Sequence, residues 1–131
     1  MLDVKIHAYL DYLFSAVLLA APTVLGLSYD ASVACYISAG LHAVLSAVTQ
    51  YPLGIVKWVP FKVHGMIELG GAIALLAMPW LVNFSSEIAG RNFFLVSGVL
   101  LFGVWLATNY GGTRIFASTG VVDEVHIRRA S

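Results

Sequence analysis

Two histidine–carboxylate pairs stand out in an otherwise apolar chain. Lys5, His7 and Asp11 are followed 57 residues later by Lys62, His64 and Glu68. Residues four apart lie on the same face of an α-helix, so His7 can reach Asp11, and His64 can reach Glu68. A carboxylate beside an imidazole can orient the ring, exchange a proton with it, or complete the coordination of a metal ion.

Two kinds of cofactor site use these residue types. If the pairs meet, His7, Asp11, His64 and Glu68 supply two nitrogens and two carboxylates, enough for a divalent transition ion such as zinc, iron or manganese. Haem needs axial ligands from facing helices, and His7 with His64, or either of them with His42, could supply these. A metal ion and haem are therefore both candidate cofactors.

Two further interpretations of the pairs need no cofactor. Intramembrane histidines and carboxylates also form proton relays, although few polar residues continue toward the other end of the helices here. Alternatively, Lys5 and Lys62 extend to lipid headgroups while Asp11 and Glu68 lie at the interface, so that the pairs only fix helix depth. The sequence contains no complete catalytic motif, which favours a role other than that of an enzyme.

Composition indicates the elements that must position these residues. Hydrophobic residues make up 60% of the 131 residues and charged residues only 11%, a balance typical of a membrane protein. The chain has four uncharged stretches, each reaching the roughly 18–20 residues that a spanning helix requires. We therefore predict an all-α membrane protein with four transmembrane helices, near 6–28, 31–50, 63–84 and 92–110.

The distribution of positive charge predicts the topology. Arg91 lies on one side of this layout, and the other Lys and Arg residues lie on the opposite side: Lys5, Lys57, Lys62, Arg114, Arg128 and Arg129. The positive-inside rule then places both termini in the cytoplasm. Tyr51 and Tyr110, near the inner helix ends, suit the aromatic belt of the inner interface.

The chain also resembles a duplicated helical hairpin. Besides the two pairs, Pro22 matches Pro79 at the same offset, and Thr49-Gln50-Tyr51 matches Thr108-Asn109-Tyr110 at an offset of 59. Two spans per unit give both copies one orientation, which puts His7 and His64 at the same depth. We predict a single domain over 1–110, with repeats at about 5–51 and 62–110, and a polar cytoplasmic tail over 111–131.

The motif around the second pair resembles the bacterial SPW-repeat membrane proteins. Pro60-Phe61-Lys62-Val63-His64-Gly65 is followed by Met78-Pro79-Trp80, although Met78 replaces the Ser of the family name and the first repeat has no Trp after Pro22. The resemblance covers about 5–110 and implies a four-helix, two-repeat protein of the bacterial inner membrane. It implies no activity, because the family has none assigned.

Together these observations predict a small integral inner-membrane protein. The leading hypothesis is a structural or accessory subunit with a His/carboxylate cluster near the cytoplasmic face. The alternative is a metal- or haem-binding protein that uses His7 and His64, with proton transport as a third hypothesis. Expected partners are the lipid bilayer and a homo-oligomer or larger membrane complex, whereas a net charge of zero gives no reason to expect nucleic acid.

Overall fold

A computed structural model describes residues 1–110, so the predicted tail over 111–131 lies outside the described residues. Four α-helices fill most of this range and follow one another with short links, except for the longer link between the second and third. They are α1 (Val4–Leu25), α2 (Tyr29–Ala47), α3 (Phe61–Leu81) and α4 (Ile88–Ala107). The all-helical fold class is confirmed.

Local capping residues set the ends of the first hairpin. The Asp3 side chain accepts a hydrogen bond from the Lys5 amide, and α1 ends at Gly26, whose φ of 60° lies in the left-handed region that glycine adopts readily. Ser28 then caps α2 by accepting from the Ala31 amide. Each helix begins two to four residues earlier and ends three residues earlier than the prediction. For α1 and α2 the earlier start follows from the polar caps Asp3 and Ser28, which lie before the apolar stretches.

Three of the four helices, α1, α3 and α4, are long and apolar enough to cross a membrane. The second helix has 19 residues but is not among them. Its sequence includes Asp30, Ser38, His42 and Ser46, which lower its apolar character. The membrane prediction therefore rests on three helices, and the predicted span by α2 is not shown.

The helices pack mainly as two hairpins. Helix α1 packs along α2, and α3 packs along α4, whereas contacts between the hairpins are sparse. Large apolar side chains face outward in every helix, for example Leu13, Leu41, Ile73 and Val96, which are 57–70% exposed. Such an outward apolar surface suits hydrocarbon surroundings.

The apolar core lies toward the end of the bundle that contains the α1–α2 and α3–α4 links. Its buried members come from all four helices and the α3–α4 link: Ala21, Ala31, Ala34, Cys35, Ala72, Leu75, Phe84, Phe94 and Leu101. The opposite end of the bundle instead buries polar side chains.

Two short backbone pairings close that polar end. The Leu2 amide donates to the Ala107 carbonyl at 2.8 Å, and the Val59 amide donates to the Val48 carbonyl at 2.8 Å. The segment before each odd-numbered helix is thereby joined to the end of an even-numbered helix. These pairings fix Thr108 and Thr49, the residues just beyond α4 and α2, beside the first turns of α1 and α3.

Candidate metal centre

The two histidine–carboxylate pairs converge. His7 and Asp11 on α1 meet His64 and Glu68 on α3, and one ligand atom from each of these four residues lies within 4.8 Å of the others. We call these four residues the cluster. Their exposed fractions are 0–1%. The predicted buried polar cluster is therefore present, and it joins the two hairpins through their first helices.

The cluster atoms surround a small central space. The two Nε2 atoms of His7 and His64 are 3.4 Å apart. Asp11 lies between them, with Oδ1 at 3.4 Å from His7 Nε2 and Oδ2 at 3.3 Å from His64 Nε2. Glu68 Oε2 is slightly more distant, at 3.6 Å from His7 Nε2 and 4.0 Å from His64 Nε2.

Two threonines determine which nitrogen of each imidazole carries hydrogen. Thr49 Oγ1 donates to the Leu45 carbonyl at 2.6 Å, and Thr108 Oγ1 donates to the Val104 carbonyl at 2.7 Å. A hydroxyl has a single hydrogen and a carbonyl can only accept, so each threonine must accept its second bond. That second bond comes from His64 Nδ1 to Thr49 at 2.8 Å, and from His7 Nδ1 to Thr108 at 3.0 Å.

It follows that both imidazoles, when neutral, present an unprotonated Nε2 to the centre of the cluster. Each hairpin orients the histidine of the other, since Thr49 follows α2 and bonds to His64, while Thr108 follows α4 and bonds to His7. A histidine that donates its outer nitrogen to a fixed acceptor and turns its other nitrogen inward is the usual arrangement of a metal ligand.

Two tyrosines bond to the carboxylates. Tyr51 donates to Asp11 Oδ2 at 3.0 Å, and Tyr110 donates to Glu68 Oε2. Burial, with the adjacent carboxylate, raises the pKa of Tyr51 above its ordinary value, and burial likewise raises the pKa of Tyr110. Both phenols therefore stay protonated at neutral pH and act as donors. Gly65 is needed for this contact, because a Cβ there would overlap the Tyr110 ring.

An aromatic side chain covers the cluster at the end of the bundle. The ring of Phe61 lies 5.3 Å from that of His7 and 4.8 Å from that of Tyr110, measured between centroids. Among residues 1–110, no lysine or arginine forms a salt bridge with Asp11 or Glu68, whose basic neighbours are histidines alone. The two carboxylates are thus screened from water and lack a permanent positive partner in the described chain.

His42 lies at the edge of the cluster. Its Nε2 is 3.7 Å from Asp11 Oδ1, and its ring packs edge-on against Phe14. Within the described chain, His42 Nε2 and Glu68 Oε1 are the two buried side-chain polar atoms without a hydrogen-bond partner. The structure therefore brings all three histidines predicted as candidate ligands into one region, with His7 and His64 at its centre.

Four residues of this centre were not predicted as site residues. These residues lie beyond the ends of α2 and α4: Thr49, Tyr51, Thr108 and Tyr110. The sequence showed them as parts of matching triplets and indicated an interface position for the two tyrosines. The placement of Tyr51 in the aromatic belt was wrong, since the side chain is 3% exposed and bonds to Asp11. The signal that could have identified them is the recurrence of the triplet in both hairpins.

Comparison with known proteins adds no assignment: no protein-family model, curated protein or solved structure matches this chain. The likeness to the SPW-repeat proteins accordingly stays a prediction. Function has to be inferred from the cluster and its surroundings.

Proposed function

We propose that this protein is a four-helix membrane protein that binds one divalent transition-metal ion between His7, Asp11, His64 and Glu68. The observation that carries the proposal is the convergence of acceptor atoms. With both Nδ1 atoms donating to threonines, the centre contains two imidazole lone pairs and two carboxylates. Acceptors brought together in a buried space are destabilising unless a cation or a proton lies among them.

The spacing of the atoms suits such an ion. Four ligands in a tetrahedron at 2.0–2.1 Å from zinc are about 3.3–3.4 Å from one another. His7 Nε2 and His64 Nε2 are 3.4 Å apart, and each lies 3.3–3.4 Å from one of the two Asp11 oxygens. Glu68 lies at 3.6–4.0 Å from the two nitrogens, and one ligand atom from each of the four residues lies within 4.8 Å of the others, so ion binding would draw the set together.

Charge also favours a divalent ion. Two neutral imidazoles and two carboxylates carry a net charge of about −2, which one divalent cation neutralises. Mixed nitrogen and oxygen ligands suit zinc, iron and manganese more than the hard ions magnesium and calcium, which prefer oxygen alone. We therefore place the ion in the zinc, iron and manganese class.

A cluster held only by protons is the competing structural role. Charge-assisted hydrogen bonds between imidazolium and carboxylate are about 2.7–2.9 Å long. The observed separations between the histidine nitrogens and the carboxylate oxygens are 3.3–4.0 Å. A single proton between the two imidazole nitrogens would give a hydrogen bond of 3.4 Å, longer than the usual range, and two imidazolium nitrogens at that distance would repel each other. These distances favour an ion in the centre over a purely structural network.

Haem is less compatible with this arrangement. A porphyrin ligated by both histidines would have to lie between their two Nε2 atoms, which are 3.4 Å apart with Asp11 beside both. His42, the other predicted haem ligand, is adjacent to Asp11 and has no facing histidine in α4. We therefore favour a bare ion.

The proposal also includes a membrane topology, which goes beyond the three helices that are apolar enough to span. Because α2 packs along α1 and the link between them is short, we infer that α2 also spans the membrane and that the two hairpins are copies with one orientation. The excess of lysine and arginine at the cluster end favours a cytoplasmic position for both termini. The bacterial inner membrane follows from the SPW-repeat likeness and belongs to the same proposal.

Metal analysis of the purified protein tests the proposal. The protein is stripped with a chelator in detergent, then titrated with zinc, manganese and iron(II), and bound metal is counted by elemental analysis. We expect one ion per chain, loss of that ion in His7→Ala and His64→Ala, and retention in His42→Leu, whose side chain is outside the ligand set. Cobalt(II) substitution would report the coordination geometry by absorption.

Matched variants separate ligand loss from unfolding. Asp11→Asn removes one ligand charge at the cluster, whereas Asp30→Asn makes the same change at the first turn of α2, at the other end of the bundle. We expect Asp11→Asn to weaken metal binding and Asp30→Asn to leave it unchanged, with helical content preserved in both variants. A folded wild-type protein that takes up none of the three ions would disprove the metal site and leave the structural role.

A further inference from the structure

Two lateral clefts separate the hairpins. One lies between α2 and α3 and has a volume of about 640 Å³; the other lies between α1 and α4 and has a volume of about 390 Å³. Corresponding positions line both, as Ser38 and Leu41 in the first match Ser97 and Leu100 in the second. The clefts are therefore related by the same offsets as the two hairpins.

The larger cleft is wider because small residues replace bulky ones. Gly70 and Gly71 line it at the positions where Leu13 and Phe14 line the smaller cleft. A Cβ at Gly70 would meet nothing within 4 Å, so the space beside α3 is open. The volume falls in the range of about 300–1,000 Å³ that is usual for small-molecule sites.

The larger cleft differs from the smaller one in one polar side chain. Glu68 lines it as Asp11, the matching residue of α1, lines the smaller cleft, but His42 lines it where Leu101 lies at the matching position of α4. Their atoms His42 Nε2 and Glu68 Oε1 are the two buried side-chain atoms left without a hydrogen bond among residues 1–110. Such atoms cost free energy unless a partner reaches them.

We infer that the cleft between α2 and α3 binds a membrane-dissolved molecule with a hydroxyl head group and an elongated hydrocarbon tail. A hydroxyl both donates and accepts, so it can donate to Glu68 Oε1 or accept from His42 Nε2. A carboxylate or phosphate head group would instead place negative charge beside Glu68. The other residues that line the cleft are uncharged and mostly apolar.

The elongated hydrocarbon tail is inferred from the length of the cleft. Its α2 wall runs from Val33 to Val48, which is about 22 Å at the rise of an α-helix. Leu41 and Val44 on this wall are 70% and 62% exposed, so the cleft opens sideways toward lipid. A molecule dissolved in the bilayer can therefore enter without passing through water.

Binding of this molecule would take place beside the proposed ion, and the two sites would share Glu68. Glu68 Oε2 contacts Tyr110 and His7, whereas Oε1 has no hydrogen-bond partner among residues 1–110 and Glu68 lines the cleft. A hydroxyl on Oε1 would thus be held one carboxylate group away from the proposed ion.

A head-group series tests the inference in purified protein. Hexadecanol, hexadecane, hexadecanoate and hexadecylamine share one tail and differ at the head, and each is titrated while the unfolding temperature is recorded. We expect a saturable rise in that temperature with hexadecanol and little change with the other three. Equal stabilisation by hexadecane, preference for the acid or the amine, or no response to the alcohol would each overturn the inference.

Three variants locate the site. Gly70→Leu places in the larger cleft the side chain that Leu13 provides in the smaller one, and it should abolish the response to alcohol. Gly40→Leu is the matched control, because it makes the same change on an open face of α2 that does not line the cleft. This control should preserve the response. His42→Leu removes one hydrogen bond and should weaken binding about tenfold. An unchanged response in Gly70→Leu would place the ligand elsewhere.

Measurements on metal-free and metal-loaded protein separate this inference from the proposed function. We expect Gly70→Leu and His42→Leu to retain the ion while losing or weakening the response to alcohol. Ion binding without a response to alcohol would reject the cleft alone, and a response to alcohol without ion binding would reject the metal site alone.

Discussion

Replacing the two threonines tests how the imidazoles are oriented. Thr49→Val and Thr108→Val keep the shape of each side chain but remove the hydroxyl that accepts from His64 Nδ1 at 2.8 Å or from His7 Nδ1 at 3.0 Å. Without that acceptor, the hydrogen can move to Nε2, where it blocks the lone pair that would bind the ion. Neither change alters a proposed ligand.

The size of the effect follows from two costs. Loss of an outer hydrogen bond to a metal-binding histidine lowers affinity by about 10–100-fold, or about 1.4–2.7 kcal/mol. In the metal-free protein, the buried N–H that is left without a partner costs about 1–3 kcal/mol of stability. Since each threonine serves a different histidine, we expect the double variant to lose close to the product of the two single effects.

Isothermal titration with zinc in detergent measures the affinities, with Thr23→Val as the control. Thr23 is exposed on α1 near its far end, away from the cluster. The control should bind as the wild type does. If Thr49→Val and Thr108→Val also bind with wild-type affinity while His7→Ala does not bind, then the threonines do not set the tautomers and the central reasoning fails.

Three other outcomes are expected. Zinc affinity should fall as the pH is lowered, because protons compete with the ion for the two imidazole nitrogens; titration at several pH values measures this, and a pH-independent affinity would contradict histidine ligation. Gly65→Ala should displace Tyr110 and lower the free energy of unfolding, measured with denaturant, by about 1–3 kcal/mol. Gly103→Ala is the control, because a Cβ there would meet nothing within 4 Å, and it should be neutral or stabilising in the same measurement. Glu87→Gln should lower the free energy of unfolding by about 1–2 kcal/mol, because it weakens the hydrogen bonds that Glu87 accepts from the amide and hydroxyl of Ser28. An unchanged unfolding curve would show that this link between the hairpins is dispensable.

The cluster could be predicted from the sequence because its geometry is local. His7 and Asp11 share one helix face, as do His64 and Glu68, and a repeat with one orientation brings both pairs to the same end of the bundle. The apolar stretches likewise predicted helices, although the caps at Asp3 and Ser28 lie outside those stretches and shifted the bounds.

The contacts that give the cluster its chemistry could not be predicted in this way. Thr49 and Thr108 lie beyond helix ends, and each acts on the opposite hairpin, so their role depends on how the hairpins dock. Tyrosine is typical of a membrane interface, so the sequence favours such a position for Tyr51. Only the structure shows that its side chain is buried and bonds to Asp11. Residues outside regular elements have no periodicity from which their direction can be inferred.

The sparse packing between the hairpins gives the proposed ion a structural consequence. An ion held by α1 and α3 would join two units whose clefts leave much of their facing surfaces apart. A ligand that binds only the folded state at 100 times its dissociation constant adds about 2.7 kcal/mol of stability. Metal binding would therefore also have a structural effect. Acceptor groups that oppose docking when the centre is empty would favour docking once a cation occupies it, and the hairpins would assemble as the ion binds.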